Sequence, residues 1–421
     1  MTSKQIKRII AKVLIIIIVI IIIERLYNTR DEFHVEAEDA SYYGFIEANL
    51  TTKEKLEDFE YLYGVLEQNY PFFKVNERLY GVDWLGNKRK YKRLIRNTKN
   101  DAEFYIAMDR ILKDLNDGHT NIFDGKNFRA FYKMYYPYHS QIPFWDNVFL
   151  DPYVKNRYEF DGDLDSIVLY EEPVLETKVL IEDELAYMKI KKMAGDYDIL
   201  AEDYIKIKEF LKGIEDYEKL IIDIRGNGGG NDTYWMNIVR LLIDEPLNIE
   251  YYAFFKDGHR YKYDPYKVQS VAPVKKLDKK TLGKFPEEIA TDFDFYKTYS
   301  FHLSPWGISY NPEDYIDFKG KIYLLVDRKV FSSAENFASF AKDTGFATLV
   351  GETTKGAKDF EWIPITYLPK SKFAIRYSRT LVINSDGTIN METKTTPHIQ
   401  VDPTPHDDFN KDKCIQAVIK D

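Results

Sequence analysis

The sequence predicts a mixed α/β fold with helices ahead of it. Two short stretches, KLIIDIRG at 219–226 and KIYLLVD at 321–327, are almost continuously apolar, as expected of strands that a parallel sheet buries on both faces. Segments such as DYIKIKEFLKGI and TYWMNIVRLLID carry apolar residues at helical spacing. Alternation of such strands and helices indicates a parallel sheet covered by helices.

Composition narrows the classes of function. The chain has 421 residues, of which 44% are apolar and 15% aromatic, which is enough to build a core. Its net charge is −9, so nucleic acid is not an expected partner. Cys414 is the single cysteine, which excludes an intramolecular disulfide. No HExxH, cysteine cluster or EF-hand loop is present, and neither a metal nor another cofactor is expected.

Residues 1–27 predict a signal anchor, with a cleaved signal peptide as the alternative. Four cations precede a wholly apolar run at 13–23, and no small-residue cleavage motif follows it. These cations are Lys4, Lys7, Arg8 and Lys12. Because positive charge stays on the cytoplasmic side, the bulk of the chain is expected outside the cytoplasm, anchored at its N-terminus, or secreted if the segment is cut.

The remaining chain divides by composition and periodicity. We expect an acidic tether, a helical cap, a connecting segment too short for a typical PDZ domain, an α/β core with an insertion, and a C-terminal tail. In that order these are residues 28–48, 49–123, 124–177, 178–408 with the insertion at about 247–318, and 409–421.

The cap is predicted from two helical runs. The first begins at Thr51 or Thr52 and ends at the breaker before Pro71. The second, DAEFYIAMDRILKDLNDGHT, ends near Gly118 and is followed by His119. A lone histidine there is commonly a favourable partner of the helix dipole, so its position alone assigns no chemistry.

A glycine-rich loop, DIRGNGGGND at 223–232, follows the first buried strand and leads into a helix. Glycines allow backbone N–H groups to converge on a negative oxygen. Neither phosphate-binding motif, GxxxxGK[ST] or GxGxxG, fits this spacing. The loop is therefore either an oxyanion hole or a tight turn between a strand and a helix.

The stretch VFSSAENFASF follows the second buried strand. Ser332 and Glu335 have the S-x-x-E spacing of a capping box, which predicts the start of a helix. A serine at a helix start can also be a nucleophile, because unpaired N–H groups and the helix dipole stabilise negative charge there. Both interpretations apply to Ser332.

Together, these motifs in this order resemble the C-terminal processing (tail-specific) peptidases over about residues 52–405. The resemblance is strongest to the branch that contains the tricorn protease core and the repeats of interphotoreceptor retinoid-binding protein. It implies a ClpP/crotonase-like catalytic core, and a serine endopeptidase that cleaves protein or peptide substrates through an acyl-enzyme without a cofactor.

The resemblance also implies site residues. Ser332 matches the nucleophile, and His119 matches the histidine that the tricorn-like branch uses as general base. Ser333 and the loop around Gly228 and Gly229 correspond to the oxyanion hole. Glu392 corresponds to the acid that orients the histidine, and Asp359 and Glu361 are alternatives for this role.

Two alternatives remain open at the sequence level. The larger branch of the family uses a lysine as base, but Ala357 stands at that position, and Lys355 and Lys358 lie nearby out of register. A serine–lysine dyad is therefore one alternative. The other is a non-catalytic module in which the aromatic-rich insertion encloses an apolar ligand.

Overall fold

The computed structural model describes residues 35–136, 139, 143–256, 258, 271–304 and 315–421. The predicted N-terminal anchor lies outside these residues, as do parts of the predicted insertion. In the part of the chain that is described, no helix is both long enough and apolar enough to cross a membrane.

Helices form most of the N-terminal region. The first, α1, begins with a capping box, in which Thr51 Oγ1 accepts a hydrogen bond from Glu54 N–H at 3.3 Å and Glu54 Oε2 accepts one from Thr51 N–H at 2.9 Å. The helices are α1 (Thr52–Asn69), α2 (Phe73–Tyr80), α3 (Lys88–Arg96), α4 (Asp101–Lys113), α5 (Gly125–Tyr135), α6 (Pro143–Phe149) and α7 (Pro152–Arg157). The first four form the predicted cap, and the last three occupy the predicted connecting segment.

A six-stranded sheet forms the centre of the C-terminal region and confirms the mixed α/β fold. Its order is β13-β9-β8-β4-β3-β2, with every neighbouring pair parallel except β2 and β3. The strands are β2 (Leu175–Ile181), β3 (Leu185–Ile190), β4 (Lys219–Asp223), β8 (Lys321–Val326), β9 (Thr348–Gly351) and β13 (Ile399–Gln400). The two apolar stretches form β4 and β8 at its centre, where both faces are covered.

Two antiparallel sheets complete the fold. One has the order β12-β5-β7-β6 and the other β1-β11-β10. Their strands are β1 (Asn121–Ile122), β5 (Leu247–Phe255), β6 (Ala272–Pro273), β7 (Phe295–Leu303), β10 (Ile365–Tyr367), β11 (Ala374–Arg376) and β12 (Leu381–Ile383). Strand β1 comes from the cap, whereas its partner β11 comes from the C-terminal region.

Helices cover both faces of the central sheet. Apolar side chains of α8, α9 and α12 pack on one face, and those of α14 pack on the other. The remaining helices are α8 (Tyr197–Lys212), α9 (Asp232–Leu242), α10 (Lys279–Leu282), α11 (Glu288–Asp292), α12 (Ser333–Thr344), α13 (Asn390–Thr393) and α14 (Lys413–Lys420).

The structure shows regular or packed structure in three segments for which the sequence predicted none. The expected C-terminal tail forms α14, which buries Cys414, Ile415 and Val418 against the sheet. The insertion contains two nine-residue strands, paired from Leu247↔Leu303 to Phe255↔Phe295, although its sequence lacks a clear period. The alternation is obscured because aromatic residues occupy both faces of this pair.

The expected acidic tether is packed where it is described. Phe45 is 1% exposed, and its ring centroid lies 5.4 Å from that of Tyr105 and 4.8 Å from that of Phe373. Acidic composition predicted a solvated segment, but aromatic side chains such as Phe45 and Tyr43, whose ring centroid lies 5.3 Å from that of Tyr105, join it to the hydrophobic core.

Next to Phe45, a buried carboxylate fastens the same segment to α4. Asp101 Oδ2 accepts hydrogen bonds from Ala48 N–H at 2.7 Å and from Arg157 Nη2 at 3.0 Å, and its Oδ1 accepts one from Leu50 N–H at 3.0 Å. Asp101 is fully buried and Arg157 is 3% exposed. Removal of one partner leaves the other charge buried without compensation.

We therefore expect Asp101→Ala to lower the free energy of unfolding by about 3–5 kcal/mol. Glu57→Ala is the control, because Glu57 forms only solvent-exposed ion pairs, with Lys53 at 3.8 Å and with Lys370 at 3.2 Å, and their loss is expected to cost at most about 1 kcal/mol. The urea midpoint measures both. Equal midpoints for the two variants would contradict a structural role for the buried pair.

Candidate active site

Ser332 lies in a sharp turn between β8 and α12. Its φ of 58° and ψ of −124° place it in a region that non-glycine residues rarely occupy. The turn is held by backbone hydrogen bonds from Phe331 N–H to Asn227 O at 3.2 Å and from Ser332 N–H to Gly356 O at 3.4 Å. The surrounding loops thus fix a strained serine at the start of a helix.

The conformation directs the serine hydroxyl towards the cap. Ser332 Oγ lies 2.8 Å from His119 Nε2, although the two residues are 213 positions apart in the chain. His119 is 4% exposed, and its ring centroid lies 4.5 Å from that of Phe331. Gly118 is required beside it, because a Cβ there would lie 2.7 Å from Phe331 Cζ. The two predicted residues therefore have the geometry of a nucleophile and its general base.

The loop after α4 fixes the histidine backbone. Asp117 Oδ1 accepts a hydrogen bond from His119 N–H at 2.9 Å, and Asp117 Oδ2 accepts one from the Thr120 hydroxyl at 2.6 Å. Both oxygens of this buried carboxylate are thus engaged in holding the loop. Asp117 is a site residue that sequence reasoning missed, although its place two residues before His119 is typical of an Asx turn.

Burial keeps the His119 imidazole neutral. It lowers the pKa of His119 well below its ordinary value, and the positive charges of Arg376 and Lys355 lower this pKa further. Among the described residues, no hydrogen bond reaches His119 Nδ1. A neutral imidazole with a free lone pair can accept the serine proton.

Of the three backbone N–H groups predicted to form the oxyanion hole, two are free to donate a hydrogen bond to a substrate. Within the described chain, the backbone N–H groups of Gly228 and Ser333 have no hydrogen-bond partner. The N–H of Gly229 instead donates to Asn227 Oδ1 at 2.9 Å, so it is occupied. Asn227 also donates from Nδ2 to Ile190 O at 2.9 Å, which fastens the loop to the sheet. This buried asparagine was not predicted, because its role depends on contacts distant in sequence.

Gly229 contributes to the site because it allows the glycine-rich loop to approach the serine turn closely. A Cβ at this position would lie 2.6 Å from Phe331 O and 2.8 Å from Ser332 Cβ, and its φ is +94°. Only glycine lets the loop contact the serine turn at this distance. The glycine content of the loop is therefore explained by packing against Ser332 as well as by hydrogen bonding.

The structure does not bring Glu392 to the histidine. Its carboxylate accepts hydrogen bonds from Arg78 Nε at 3.0 Å and Arg78 Nη2 at 2.8 Å, and Arg78 also pairs with Glu288 at 2.7 Å. Glu392 therefore joins α13 to α2 and α11 and makes no hydrogen bond to His119. The two alternatives do not bind His119 either. Asp359 Oδ1 accepts a hydrogen bond from Glu361 N–H at 2.9 Å, and Glu361 pairs with Lys297 at 3.0 Å.

The expected capping box at Ser332 does not form. The serine side chain makes no cap hydrogen bond. Glu335 is fully buried, and its Oε1 accepts hydrogen bonds from Asn390 Nδ2 at 2.8 Å and from the Thr395 hydroxyl at 2.7 Å. Glu335 therefore joins α12 to the segment that precedes β13, while the Ser332 hydroxyl is hydrogen bonded to His119.

The two lysines near the site bind elsewhere. Lys358 Nζ lies 3.9 Å from the Tyr251 ring centroid and 3.9 Å from Asp343 Oδ2, and burial lowers its pKa to about 8. Lys355 Nζ lies 4.9 Å from the centroid of the Phe331 ring. Neither ammonium group is hydrogen bonded to Ser332, whose hydroxyl is bonded to His119.

Comparisons with known proteins identify the family and the fold. Residues 184–401, just over half of the chain, match the sequence profile of peptidase family S41. A comparison with curated protein sequences found no significant match. Among solved structures, a candidate peptidase from Parabacteroides merdae is similar with a TM-score of 0.55 at 20% identity, covering 87% of this chain and 96% of that one. Mature CPAF is similar with a TM-score of 0.50 at 12% identity, covering 83% and 92% respectively. At these identities the two structures establish the fold.

We expect Gly229→Ala to reduce the reaction of Ser332 with a fluorophosphonate probe by roughly a hundredfold, because the new Cβ displaces the serine turn from its oxyanion donors. Gly226→Ala is the matched control, since its φ of +82° imposes similar backbone strain but no atom lies within 4 Å of the added Cβ. The labelling rates of both folded variants measure the effect. Equal rates would show that the close approach at Gly229 is not needed for reactivity.

Proposed function

The chain belongs to peptidase family S41 and is a serine-type peptidase, and on this premise we propose that it is an endopeptidase in which Ser332 is the nucleophile and His119 the general base. The observation that carries the proposal is the 2.8 Å contact between Ser332 Oγ and His119 Nε2. Proteins or peptides are the substrates that membership of this family implies.

The proposed reaction uses only side chains and backbone of this chain. His119 Nε2 takes the proton of Ser332 Oγ as the oxygen attacks the scissile carbonyl. The N–H groups of Gly228 and Ser333 donate to the oxyanion that forms. His119 then returns the proton to the leaving amine, and a water molecule activated by the same imidazole hydrolyses the acyl-enzyme.

We further propose that the chain belongs to the histidine-dependent, tricorn-like branch and has a ClpP/crotonase-like core. The position of His119 supports this assignment over a serine–lysine dyad, because Lys358 lies on the Tyr251 ring. Membership of a peptidase family favours catalysis over the alternative of a non-catalytic module for an apolar ligand. The cationic and apolar pattern of residues 1–27 supports an extracytoplasmic enzyme anchored at its N-terminus.

Hydrolysis of casein by the full-length chain tests the assignment of the dyad. Ser332→Ala and His119→Ala are each expected to lower the rate by roughly a thousandfold or more, because each removes a group that the bond-breaking step requires. Glu392→Gln is the control and is expected to retain activity, because Glu392 is bound to Arg78.

Other outcomes would show which residue assignment is wrong, or that the proposed function itself is wrong. Activity that survives in His119→Ala but not in Ser332→Ala would contradict the histidine as base and direct attention to Lys355 and Lys358. Loss of activity in Glu392→Gln would restore that residue as the orienting acid. A folded native chain that cleaves neither casein nor peptides would refute the proposed function.

The pH profile separates the two candidate bases. A histidine base acts when neutral, and because the pKa of His119 lies below its ordinary value of about 6.5, the neutral form is fully present at pH 7 and is lost only as the pH falls further. We expect the titration of His119 to cause no fall in kcat/KM for an uncharged peptide between pH 8 and about 6.5. A Lys358 base would instead give a rise through pH 8, where its pKa lies.

The carboxyl group of Asp359 is a further titrating group that can add an inflection to this profile. Burial raises the pKa of Asp359 to about 7, and hydrogen bonds from neighbouring backbone and side-chain groups oppose the rise. The Asp359→Asn variant removes this titration, so an inflection that persists near pH 7 in the variant would have to arise elsewhere. A rise through pH 8 in both proteins would contradict His119 as base.

A further inference from the structure

We propose that Lys192 is a specificity-determining residue that binds a carboxylate of the substrate beside the oxyanion loop. This inference rests on the proposed peptidase function and deepens it. Lys192 follows β3, and its Nζ lies 3.3 Å from the position that a Cβ on Gly228 would take. Because Gly228 supplies a free N–H to the oxyanion site, this cation lies next to the place where the scissile carbonyl binds.

The ammonium group of Lys192 lacks a partner in the described structure. No hydrogen bond or ion pair to it occurs there, although the side chain is accessible from solvent. Burial of the ammonium group against the loop lowers the pKa of Lys192, and no carboxylate counteracts this effect. A partly desolvated cation without a counterion gains more from an incoming carboxylate than a fully hydrated one.

The acidic groups near the dyad are engaged with other donors. Both oxygens of Asp117 hold the His119 loop. Asp232 accepts hydrogen bonds from Asn336 Nδ2 at 3.2 and 3.0 Å and from Trp235 Nε1 at 2.8 Å. These carboxylates therefore form no ion pair with Lys192.

Other cations near His119 add to the positive potential. Lys355 lies over the Phe331 ring, and Arg376 Nη2 donates to Gly118 O at 3.0 Å. Both lower the pKa of His119, and no acidic group raises it. Three cations, Lys192, Lys355 and Arg376, thus lie near the dyad in a chain whose net charge is −9, and each attracts a substrate that brings its own negative charge.

A cavity beside Lys192 can accommodate such a group. Its volume is about 410 Å³, and its lining carries three ammonium groups and two carboxylates, in addition to apolar side chains. The charged lining residues are Lys126, Lys191, Lys192, Glu171 and Glu172. The carboxylate that enters can be an Asp or Glu side chain or the C-terminal carboxylate of the substrate, since both present the same oxygens to an ammonium group.

Two pairs of fluorogenic peptides distinguish these sources. In the first pair both ends are blocked, and the anionic member carries Glu where the neutral member carries Gln. The Glu or Gln is placed in turn at each position that flanks the scissile bond. The other pair is neutral in its side chains and ends in a free carboxylate or an amide. We expect the native full-length chain to prefer the anionic member of one pair by roughly tenfold in kcat/KM, mainly through KM. The pair that shows the preference identifies the source of the carboxylate.

Substitutions at Lys192 test the residue itself. In Lys192→Ala the ratio of anionic to neutral kcat/KM is expected to fall towards one, in Lys192→Glu to invert, and in Lys192→Arg to recover. Lys212→Ala is the matched control, because it removes the same charge from an exposed position in the last turn of α8. It is expected to leave the ratio unchanged, and circular dichroism checks that each variant is folded.

The outcomes separate this inference from the proposed function. If the native chain cleaves both members of each pair equally well, or if Lys192→Ala retains the native ratio, the assignment of Lys192 is overturned while the peptidase remains. If Lys212→Ala changes the ratio as much as Lys192→Ala, the preference reflects net charge and the local contact is refuted. If the native chain cleaves neither the peptides nor casein, the proposed function is wrong and this inference falls with it.

Discussion

The contact between Ser332 and His119 depends on how the helical cap docks on the α/β core. The two residues belong to different regions, and strand pairing between β1 of the cap and β11 of the C-terminal region brings them together. The Thr120 hydroxyl accepts a hydrogen bond from Ser378 N–H at 3.0 Å directly beside the histidine. The cap and the C-terminal strands also share one continuous hydrophobic core. Stability of that core is therefore a precondition for the reactive geometry.

Charge is distributed unevenly around the dyad. Carboxylates such as Asp117 and Asp232 accept several hydrogen bonds each, and they hold loops and helix ends in place. Lys192 and Lys355 contact only uncharged neighbours in the described structure. Acids thus stabilise the scaffold while cations remain available to the cleft. This arrangement keeps His119 neutral at physiological pH, because nearby positive charge and burial both oppose its protonation.

Local patterns account for the parts of the fold that sequence predicts. Apolar runs identify β4 and β8, and helical spacing identifies the cap, because burial of periodic apolar faces determines those elements. The nucleophile and base candidates were found by motif and resemblance. Pairings between distant side chains were not predictable: Glu392 binds Arg78, which lies 314 residues away, and no spacing rule encodes this contact. Phe45 likewise packs from an acidic segment against Tyr105 of the cap and Phe373 of the C-terminal region, because burial of a few apolar side chains outweighs the composition around them.

The capping-box prediction at Ser332 is wrong because the hydroxyl of this residue cannot both cap the helix and bind His119. A cap would require extended backbone and a hydroxyl that accepts from the first helical turn. The observed φ of 58° turns the hydroxyl away from the helix and towards His119. That conformation costs of order 1–3 kcal/mol and persists only when its surroundings enforce it. Here the enforcing contacts come from Asn227 and Gly356, on the loops that follow β4 and β9, the two strands that flank β8 in the sheet. The local preference of the sequence is thus overridden at the residue where an exposed hydroxyl is needed, and the stability of the parallel sheet offsets the strain.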